Sequence, residues 1–254
     1  MSDQSIINPD YQENPELDYS NCSQYKRNID MFLKTKRAVL QPSTRHIYEY
    51  VRNFCIDFVK SHPQYPKFIW KPKIADIGCG GGFGSNILSQ EADFVWGIDA
   101  DKESIQWANL VFKRNKNNIY YSPQISFENI DILNEPREIM AFDIVVCVEV
   151  IEHLNEYSKL LDFLKRLCKK NKDGSYLEPP NGTIIFISTP NRNNSKIGQA
   201  KPKSKRHVRE WKPDELYAVL TKHFKYITLL NMDGEPQELS MTDSDMLFKC
   251  ECPI

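Results

Sequence analysis

The stretch from Asp76 to Gly84 reads D-I-G-C-G-G-G-F-G, and it follows an apolar run and precedes the apolar-periodic segment that begins at Ser85. A glycine-dense turn between a strand and a helix brings backbone N–H groups and a helix N-terminus against a nucleotide-like ligand. The carboxylate of Asp76, ahead of the glycines, would repel a pyrophosphate but would attract an ammonium group. The turn therefore predicts a nucleotide-like ligand that also carries a positive charge.

Strand-like and helix-like segments alternate after this turn, and the strand-like runs are rich in Ile, Val and Phe. The strand-like runs are Lys73–Cys79, Phe94–Ala100, Ile125–Ile132, Phe142–Val150, Thr183–Thr189, Tyr226–Met232 and Met246–Cys252. The helix-like segments are Phe83–Gln90, Lys102–Lys113, Glu156–Lys169 and Pro213–Lys222. This alternation is typical of an α/β domain in which parallel strands are buried on both faces. We expect that domain to span residues 73–254.

The N-terminal part of the chain has a different character. Residues 1–28 are polar, and we expect an irregular arm there. Residues 29–72 predict a helical extension, with one helix over Asn28–Leu40 and a second over Ser43–Ser61, before three prolines break the pattern. These helices could fold over one edge of the sheet as a lid, although ordinary packing is the simpler interpretation.

Composition excludes several classes of protein. The 254 residues carry a formal net charge of −1, so nucleic-acid binding would have to come from a local basic patch. No apolar run is long enough to span a membrane and the N-terminus lacks signal-peptide features, so we expect a cytoplasmic protein. The seven cysteines include no CxxC pair, which argues against a disulfide framework and a cysteine-bound zinc.

Carboxylates also follow the next two strands. Asp99 lies about 20 residues beyond the first glycine, where an acidic side chain can accept hydrogen bonds from both hydroxyls of a ribose. Asp131 ends the third strand at the same edge of the sheet, within reach of an exocyclic amine. Together with Asp76, these carboxylates form a set that suits a ligand with an ammonium group, a ribose diol and an adenine amine. S-adenosylmethionine carries all three groups.

The segments Asp76–Gly84, Gly97–Asp99, Asn129–Ile132 and Phe142–Val150 resemble, in order and spacing, successive motifs of class I S-adenosylmethionine-dependent methyltransferases. The resemblance implies a Rossmann-like, seven-stranded, mostly parallel sheet of order 3-2-1-4-5-7-6, with the last strand antiparallel and helices on both faces. It also implies a set of cofactor-binding residues. These are Asp76, Gly78, Gly80, Gly82, Asp99, Ala100, Asp131, Ile132 and Glu149.

A cluster of metal-ligand types follows the fourth and fifth strands. Glu149, Glu152 and His153 are spaced i, i+3, i+4, and His207 lies beyond the fifth strand. Two carboxylates and two imidazoles suit Mn, Fe, Co, Zn or Mg. A bound cation can activate a hydroxyl, which favours O-methylation. Without a metal, His153 would act as general base, and Glu149 would contact the methionine part of the cofactor.

The pattern E-x-x-E-H followed by His207 resembles two branches of this superfamily. In the small-RNA 3′-terminal 2′-O-methyltransferases, the equivalents of Glu149, Glu152, His153 and His207 bind a divalent metal beside the terminal ribose. The ubiquinone-type O-methyltransferases share the Glu-x-x-Glu-His stretch and methylate catechol-like hydroxyls. Both resemblances imply an oxygen acceptor.

The sequence leaves two classes of methyl acceptor open: a small hydroxylated molecule and RNA. The near-neutral pI favours a small hydroxylated molecule, whereas the basic loop from Lys196 to Arg209 favours RNA. A non-catalytic S-adenosylmethionine-binding subunit of a partner is a further alternative, but the uninterrupted glycine turn argues against it. The sequence does not predict the oligomeric state.

Overall fold

A computed structural model describes residues 40–61, 71–113, 124–194, 202, 204–231, 233–241 and 243–254. The predicted arm over residues 1–28 lies outside these residues, as does all but Leu40 of the helix predicted over Asn28–Leu40. The division of the chain into arm, extension and domain therefore stays a prediction.

The described helices and strands alternate along the chain as predicted, and their ends differ from the predicted ends by at most three residues. The helices are α1 (Pro42–Ser61), α2 (Phe83–Leu88), α3 (Lys102–Lys113), α4 (Tyr157–Arg166) and α5 (Pro213–Leu220), with a 3₁₀ turn at Ile151–His153. The strands are β1 (Lys73–Ile77), β2 (Phe94–Asp99), β3 (Ile125–Asn129), β4 (Ile144–Val148), β5 (Ile184–Pro190), β6 (Phe224–Leu230) and β7 (Asp245–Pro253).

The seven strands form one sheet in the order β3-β2-β1-β4-β5-β7-β6, which confirms the predicted Rossmann-like topology. Strands β1 to β5 run parallel to one another, and β7 is antiparallel to both β5 and β6. The chain order reverses where β1 lies beside β4. Such a switch point opens a crevice at the carboxyl ends of the strands, where open α/β sheets bind their ligands.

Both faces of the sheet are buried, because alternate residues of each strand enter opposite apolar cores. Ile74 of β1 and Val146 of β4 belong to the core that includes α1, α2 and α3. Ala75 and Ile77 belong to the other core, which includes α4 and α5. The predicted helical layers on both faces are confirmed.

Asp76 alternates with Ala75 and Ile77 along β1, so its side chain lies on the α1 face of the sheet. It is fully buried there, and its two oxygens accept hydrogen bonds from the hydroxyls of Tyr48 (2.9 Å) and Ser85 (2.6 Å). Burial raises the pKa of Asp76 to about 6, and the negative charge of Asp99 adds to the effect. A buried carboxylate thus ties α1 to the start of α2.

Gly82 allows α2 to approach β3 and α3 closely. Its φ is +79°, in the left-handed region that side chains with a Cβ disfavour. A Cβ added to Gly82 would lie 2.6 Å from Cζ of Phe127 and 3.0 Å from Cβ of Ala108. Gly82 is therefore required both by its backbone conformation and by packing.

We predict that Gly82→Ala destabilises the fold by more than backbone strain alone. The left-handed conformation costs roughly 1–2 kcal/mol for a residue with a Cβ, and overpacking of a core adds typically about 1–3 kcal/mol. Gly174→Ala is the matched control, because Gly174 has a φ of +87° but nothing within 4 Å of an added Cβ. Urea unfolding of both variants measures the difference. Equal losses of stability would contradict the packing role of Gly82.

We also predict that Asp76 makes stability depend on pH. Its folded-state pKa of about 6 exceeds the ordinary value of 3.8, so the folded state binds the proton more tightly than the unfolded chain. The resulting stability is complete below the ordinary pKa and is lost as the pH rises through about 6. The difference between the two pKa values corresponds to roughly 3 kcal/mol.

Asp76→Asn removes this titration, so its stability deficit relative to wild type should shrink as the pH rises from about 4 to about 7. Urea unfolding across this range checks the effect, with Asp93→Asn as control because Asp93 is exposed at the other end of the sheet. Parallel pH profiles of wild type and Asp76→Asn would show that Asp76 does not titrate as described.

Candidate active site

Two adjoining cavities lie at the carboxyl ends of the parallel strands. The first, of about 310 Å³, follows the ends of β2 and β3. The second, of about 390 Å³, lies between the glycine turn, the start of α1 and the segment around His207. Gly78, Gly80, Glu149 and His153 line both cavities. A single elongated ligand can therefore extend from one cavity into the other.

Asp99 marks the end of β2 in the first cavity. Its Oδ2 accepts a hydrogen bond from the backbone N–H of Gly80, and its Oδ1 accepts one from Asp101, each at 2.8 Å. Burial raises the pKa of Asp99 above its ordinary value. Each carboxylate oxygen keeps a further lone pair, so Asp99 can also accept hydrogen bonds from a vicinal diol.

Asp131 lies at the exposed rim of the same cavity. Its carboxylate accepts hydrogen bonds from the backbone N–H of Leu133 (3.0 Å) and from the side-chain amide of Asn134 (2.7 Å). The wall nearby is mainly apolar and includes the predicted cofactor residues Ala100 and Ile132. A flat apolar ring with polar edges suits such a wall.

The predicted residues of the glycine turn divide into two groups. Gly78 and Gly80 lie on the cavity walls, and a Cβ on Gly78 would come within 2.4 Å of Cγ2 of Val150. Gly82 and Asp76 line neither cavity within the described part of the chain. Asp76 is buried beneath the turn, with both oxygens hydrogen-bonded to Tyr48 and Ser85, and its predicted contact with an ammonium group stays a prediction.

Glu149 occupies the junction between the cavities in a strained conformation. Its φ is +57°, which is uncommon for a residue with a side chain and is often found at functional sites. Its backbone N–H donates to the carbonyl oxygen of Ser188 (3.2 Å), and the hydroxyl of Ser188 donates to Oε1 of Glu149 (3.0 Å). Burial raises the pKa of Glu149 well above its ordinary value, and the negative charges of Glu152 and Asp245 add to this.

Glu152, His153 and His207 come together on the wall of the second cavity. Each offers one ligand atom, and the three atoms lie within 4.8 Å of one another. Glu149 lines the same cavity but lies outside this group. The structure thus brings three of the four predicted metal ligands together.

Each of the three side chains has its other polar atom held by the protein. Thr189 donates a hydrogen bond to Oε2 of Glu152 at 3.0 Å. Nδ1 of His153 lies 3.0 Å from the backbone oxygen of Arg206, and Nδ1 of His207 lies 3.0 Å from Oε1 of Glu210. Because these partners are acceptors, we assign the proton to Nδ1 of both rings, which leaves the Nε2 lone pairs available for a metal.

The group fits a divalent cation. Oε1 of Glu152 is buried and has no hydrogen-bond partner among the described residues, which is costly for a carboxylate unless a cation compensates it. Burial raises the pKa of Glu152 to about 7 and lowers the pKa of His153 below its ordinary value. One oxygen and two imidazole nitrogens with open positions suit Mn, Fe, Co or Zn.

Backbone hydrogen bonds explain how His207 reaches the group. The N–H groups of Val208 and Arg209 donate to the carbonyl oxygen of Glu152 at 2.8 and 3.2 Å. Asn191, at the end of β5, pairs with Trp211 in a parallel bridge. The segment that carries His207 is therefore fixed to both the 3₁₀ turn and β5.

Two arginines in or beside the predicted basic loop contact neighbouring side chains, and Arg209, within the loop, is exposed. The guanidinium of Arg209 lies over the rings of Trp211 (4.8 Å) and Tyr157 (5.2 Å). Arg192 donates to the backbone oxygen of Glu210 and pairs with Glu215. Residues 195–201 and 203 lie outside the described residues, so the electrostatic surface of the complete loop stays a prediction.

Several residues at the site were not predicted from the sequence: Tyr48, Ser188, Thr189, Glu210 and Asp245. Only Glu210 had a local signal, because it follows His207 by three residues and could have been interpreted as its hydrogen-bond partner. The others come close to the site through strand pairing and helix packing.

Among the described helices, none combines the length and apolar character needed to cross a bilayer, and the cytoplasmic location stays a prediction.

Residues 75–173 match a family model described as a methyltransferase domain. A ubiquinone biosynthesis O-methyltransferase of Haemophilus ducreyi is 31% identical over 120 residues, which cover 47% of this chain and 46% of the relative. A protein of the same name from Rickettsia akari is 29% identical over 179 residues, covering 66% and 63%. The chain spans about half the length of the curated relatives it matches.

Solved structures share the fold at lower identity. The plantazolicin methyltransferase BpumL, in complex with SAH, is 17% identical, with coverage of 92% of this chain and 91% of that chain and a TM-score of 0.57. The methyltransferase domain of bacterial CtHen1 is 19% identical, with coverage of 80% and 98% and a TM-score of 0.51. At these identities the likeness concerns the fold alone. The match of residues 75–173 to the methyltransferase domain family, the named relatives and the order of the strands support a class I S-adenosylmethionine-dependent methyltransferase.

Proposed function

We propose that this protein transfers a methyl group from S-adenosylmethionine to a hydroxyl of a small molecule, assisted by a divalent cation. Glu152, His153 and His207 would hold the cation. The observation that carries the proposal is the convergence of their three ligand atoms on the wall of the second cavity, which Glu149 also lines.

The first cavity supports the binding of the adenosine part of S-adenosylmethionine. Asp99 keeps lone pairs for the ribose hydroxyls, and Asp131 lies at the rim, where it can accept a hydrogen bond from the adenine amine. Glu149 lines both cavities, so its carboxylate can attract the cationic methionine end. The methyl group would then face the second cavity.

The residues of the second cavity support an oxygen acceptor. A divalent cation lowers the pKa of a hydroxyl bound to it and so makes the oxygen a better nucleophile. Burial lowers the pKa of His153, so its imidazole is neutral at neutral pH and can ligate a metal or accept the hydroxyl proton. Thr189 keeps Glu152 oriented by its hydrogen bond, which limits the motion of that ligand.

The aromatic wall of the second cavity favours a small acceptor over a polymer. Tyr48, Phe83 and Trp107 line it together with the metal-binding group, and such a wall suits a flat ring. The relatives named ubiquinone biosynthesis O-methyltransferase also support a small hydroxylated molecule.

We predict that Glu152→Gln weakens the binding of divalent metal by about tenfold or more, because Glu152 supplies the anionic ligand. Isothermal titration of metal-free protein with Mn²⁺, Co²⁺ and Zn²⁺ measures this. Glu156→Gln is the control, because Glu156 is an exposed carboxylate paired with Lys159. Equal metal affinities of wild type and Glu152→Gln would contradict the proposed ligand set.

The same variants test the acceptor. With tritium-labelled S-adenosylmethionine, we expect methyl transfer to catechol and dihydroxybenzoate, loss of transfer in chelator, and recovery after metal is restored. If the protein methylates a 3′-terminal RNA ribose but neither catechol nor dihydroxybenzoate, the acceptor is RNA and not a small molecule. Transfer that is unchanged in chelator and in Glu152→Gln would contradict metal assistance.

We further predict that Asp99→Asn weakens the binding of S-adenosylhomocysteine about tenfold or more, because a hydrogen bond to a charged group contributes roughly 1.5–3 kcal/mol. Asp93→Asn is the control, because Asp93 is exposed beside the opposite end of β2. Titration calorimetry measures both affinities. If Asp99→Asn binds S-adenosylhomocysteine as tightly as wild type does, the proposed binding of the ribose in the first cavity is contradicted.

A further inference from the structure

We propose that Glu210 is a positioning residue, which holds His207 in the tautomer and orientation that direct its Nε2 lone pair towards Glu152 and His153. The inference rests on the proposed metal-assisted function. It assigns a role to a side chain that does not itself belong to the three-residue group.

The geometry of Glu210 carries the first step. Its side chain is 4% exposed, and its Oε1 lies 3.0 Å from Nδ1 of His207. Oε2 is buried and has no hydrogen-bond partner in the part of the chain that the structure describes. Since a carboxylate can only accept a hydrogen bond from the ring, the contact requires a proton on Nδ1. In the neutral imidazole, Nε2 is then the atom with the lone pair.

The position of Glu210 is set by elements that also carry the other ligands. Its backbone oxygen accepts a hydrogen bond from Arg192 at 3.3 Å, and the N–H of Arg192 donates to the carbonyl oxygen of Trp211 at 2.8 Å. Arg192 lies two residues beyond β5, the strand that provides Thr189, the partner of Glu152. The segment from His207 to Trp211 is therefore tied to the end of β5, and Glu210 is held where its carboxylate reaches the ring of His207.

The two histidines differ in what orients them. Nδ1 of His153 faces a backbone carbonyl, that of Arg206, which a substitution cannot remove. Nδ1 of His207 faces a carboxylate, and a carboxylate partner fixes the tautomer and the ring orientation of a ligating imidazole. His207 is thus the ligand whose orientation depends on one replaceable side chain.

Nitrogen–proton correlation NMR of the histidine side chains in the metal-free, full-length protein tests the tautomer. We expect wild-type His207 to carry its proton on Nδ1, and Glu210→Ala to shift it towards the Nε2–H form. Glu210→Gln should restore Nδ1–H in part, because the amide oxygen can still accept. His223, outside this group, serves as an internal reference in the same spectra.

Titration of the same proteins with Zn²⁺ and Co²⁺ tests the consequence for binding. We expect Glu210→Ala to lose about 10–100-fold in affinity, with Glu210→Gln in between and Glu156→Gln unchanged. Thermal unfolding identifies any variant that fails to fold. If Glu210→Ala does not fold, the metal affinity of Glu210→Gln is compared with that of wild type instead.

Two results would overturn the inference: a wild-type His207 protonated on Nε2, or a folded Glu210→Ala variant with unchanged tautomer and metal affinity. Wild-type protein that binds neither metal would instead overturn the proposed metal function. The two failures are therefore distinguishable.

Discussion

The site depends on how the protein compensates the carboxylates that are buried at the carboxyl ends of its strands. Removing a carboxylate from water is costly unless hydrogen bonds or positive charges replace its hydration. Asp76 is satisfied by two hydroxyls, and Glu149 by Ser188. Glu152 and Glu210 each keep one buried oxygen without a partner among the described residues. The unsatisfied negative charge is therefore concentrated around His207, where a divalent cation would compensate it.

The sheet and much of the cofactor site could be predicted from the sequence because they depend on local patterns. Apolar runs, the glycine turn and acidic residues at strand ends determine where strands stop and which side chains reach the edge. Asp99 and Asp131 border the first cavity for this reason. The same alternation along β1 buries Asp76, and its contact with an ammonium group stays a prediction. Asp76 lies on the face that α1 covers, and Tyr48 reaches it from a helix 28 residues away in the chain.

The acceptor side of the site was less predictable, because it depends on contacts between distant segments. His207 reaches Glu152 through backbone hydrogen bonds that no spacing in the sequence reveals. Glu149 lines both cavities with a left-handed backbone, and nothing in the residue type predicts that conformation. The hydroxyls of Ser188 and Thr189 acquire their roles only because β5 pairs with β4.

Anomalous diffraction from crystals of the full-length protein grown with Mn²⁺ or Co²⁺ tests the central claim most directly. The account predicts a single strong anomalous peak bounded by Oε1 of Glu152 and the Nε2 atoms of His153 and His207. That peak should be absent from crystals of Glu152→Gln grown under the same conditions. A wild-type peak elsewhere, or no peak between these three atoms, would contradict the account.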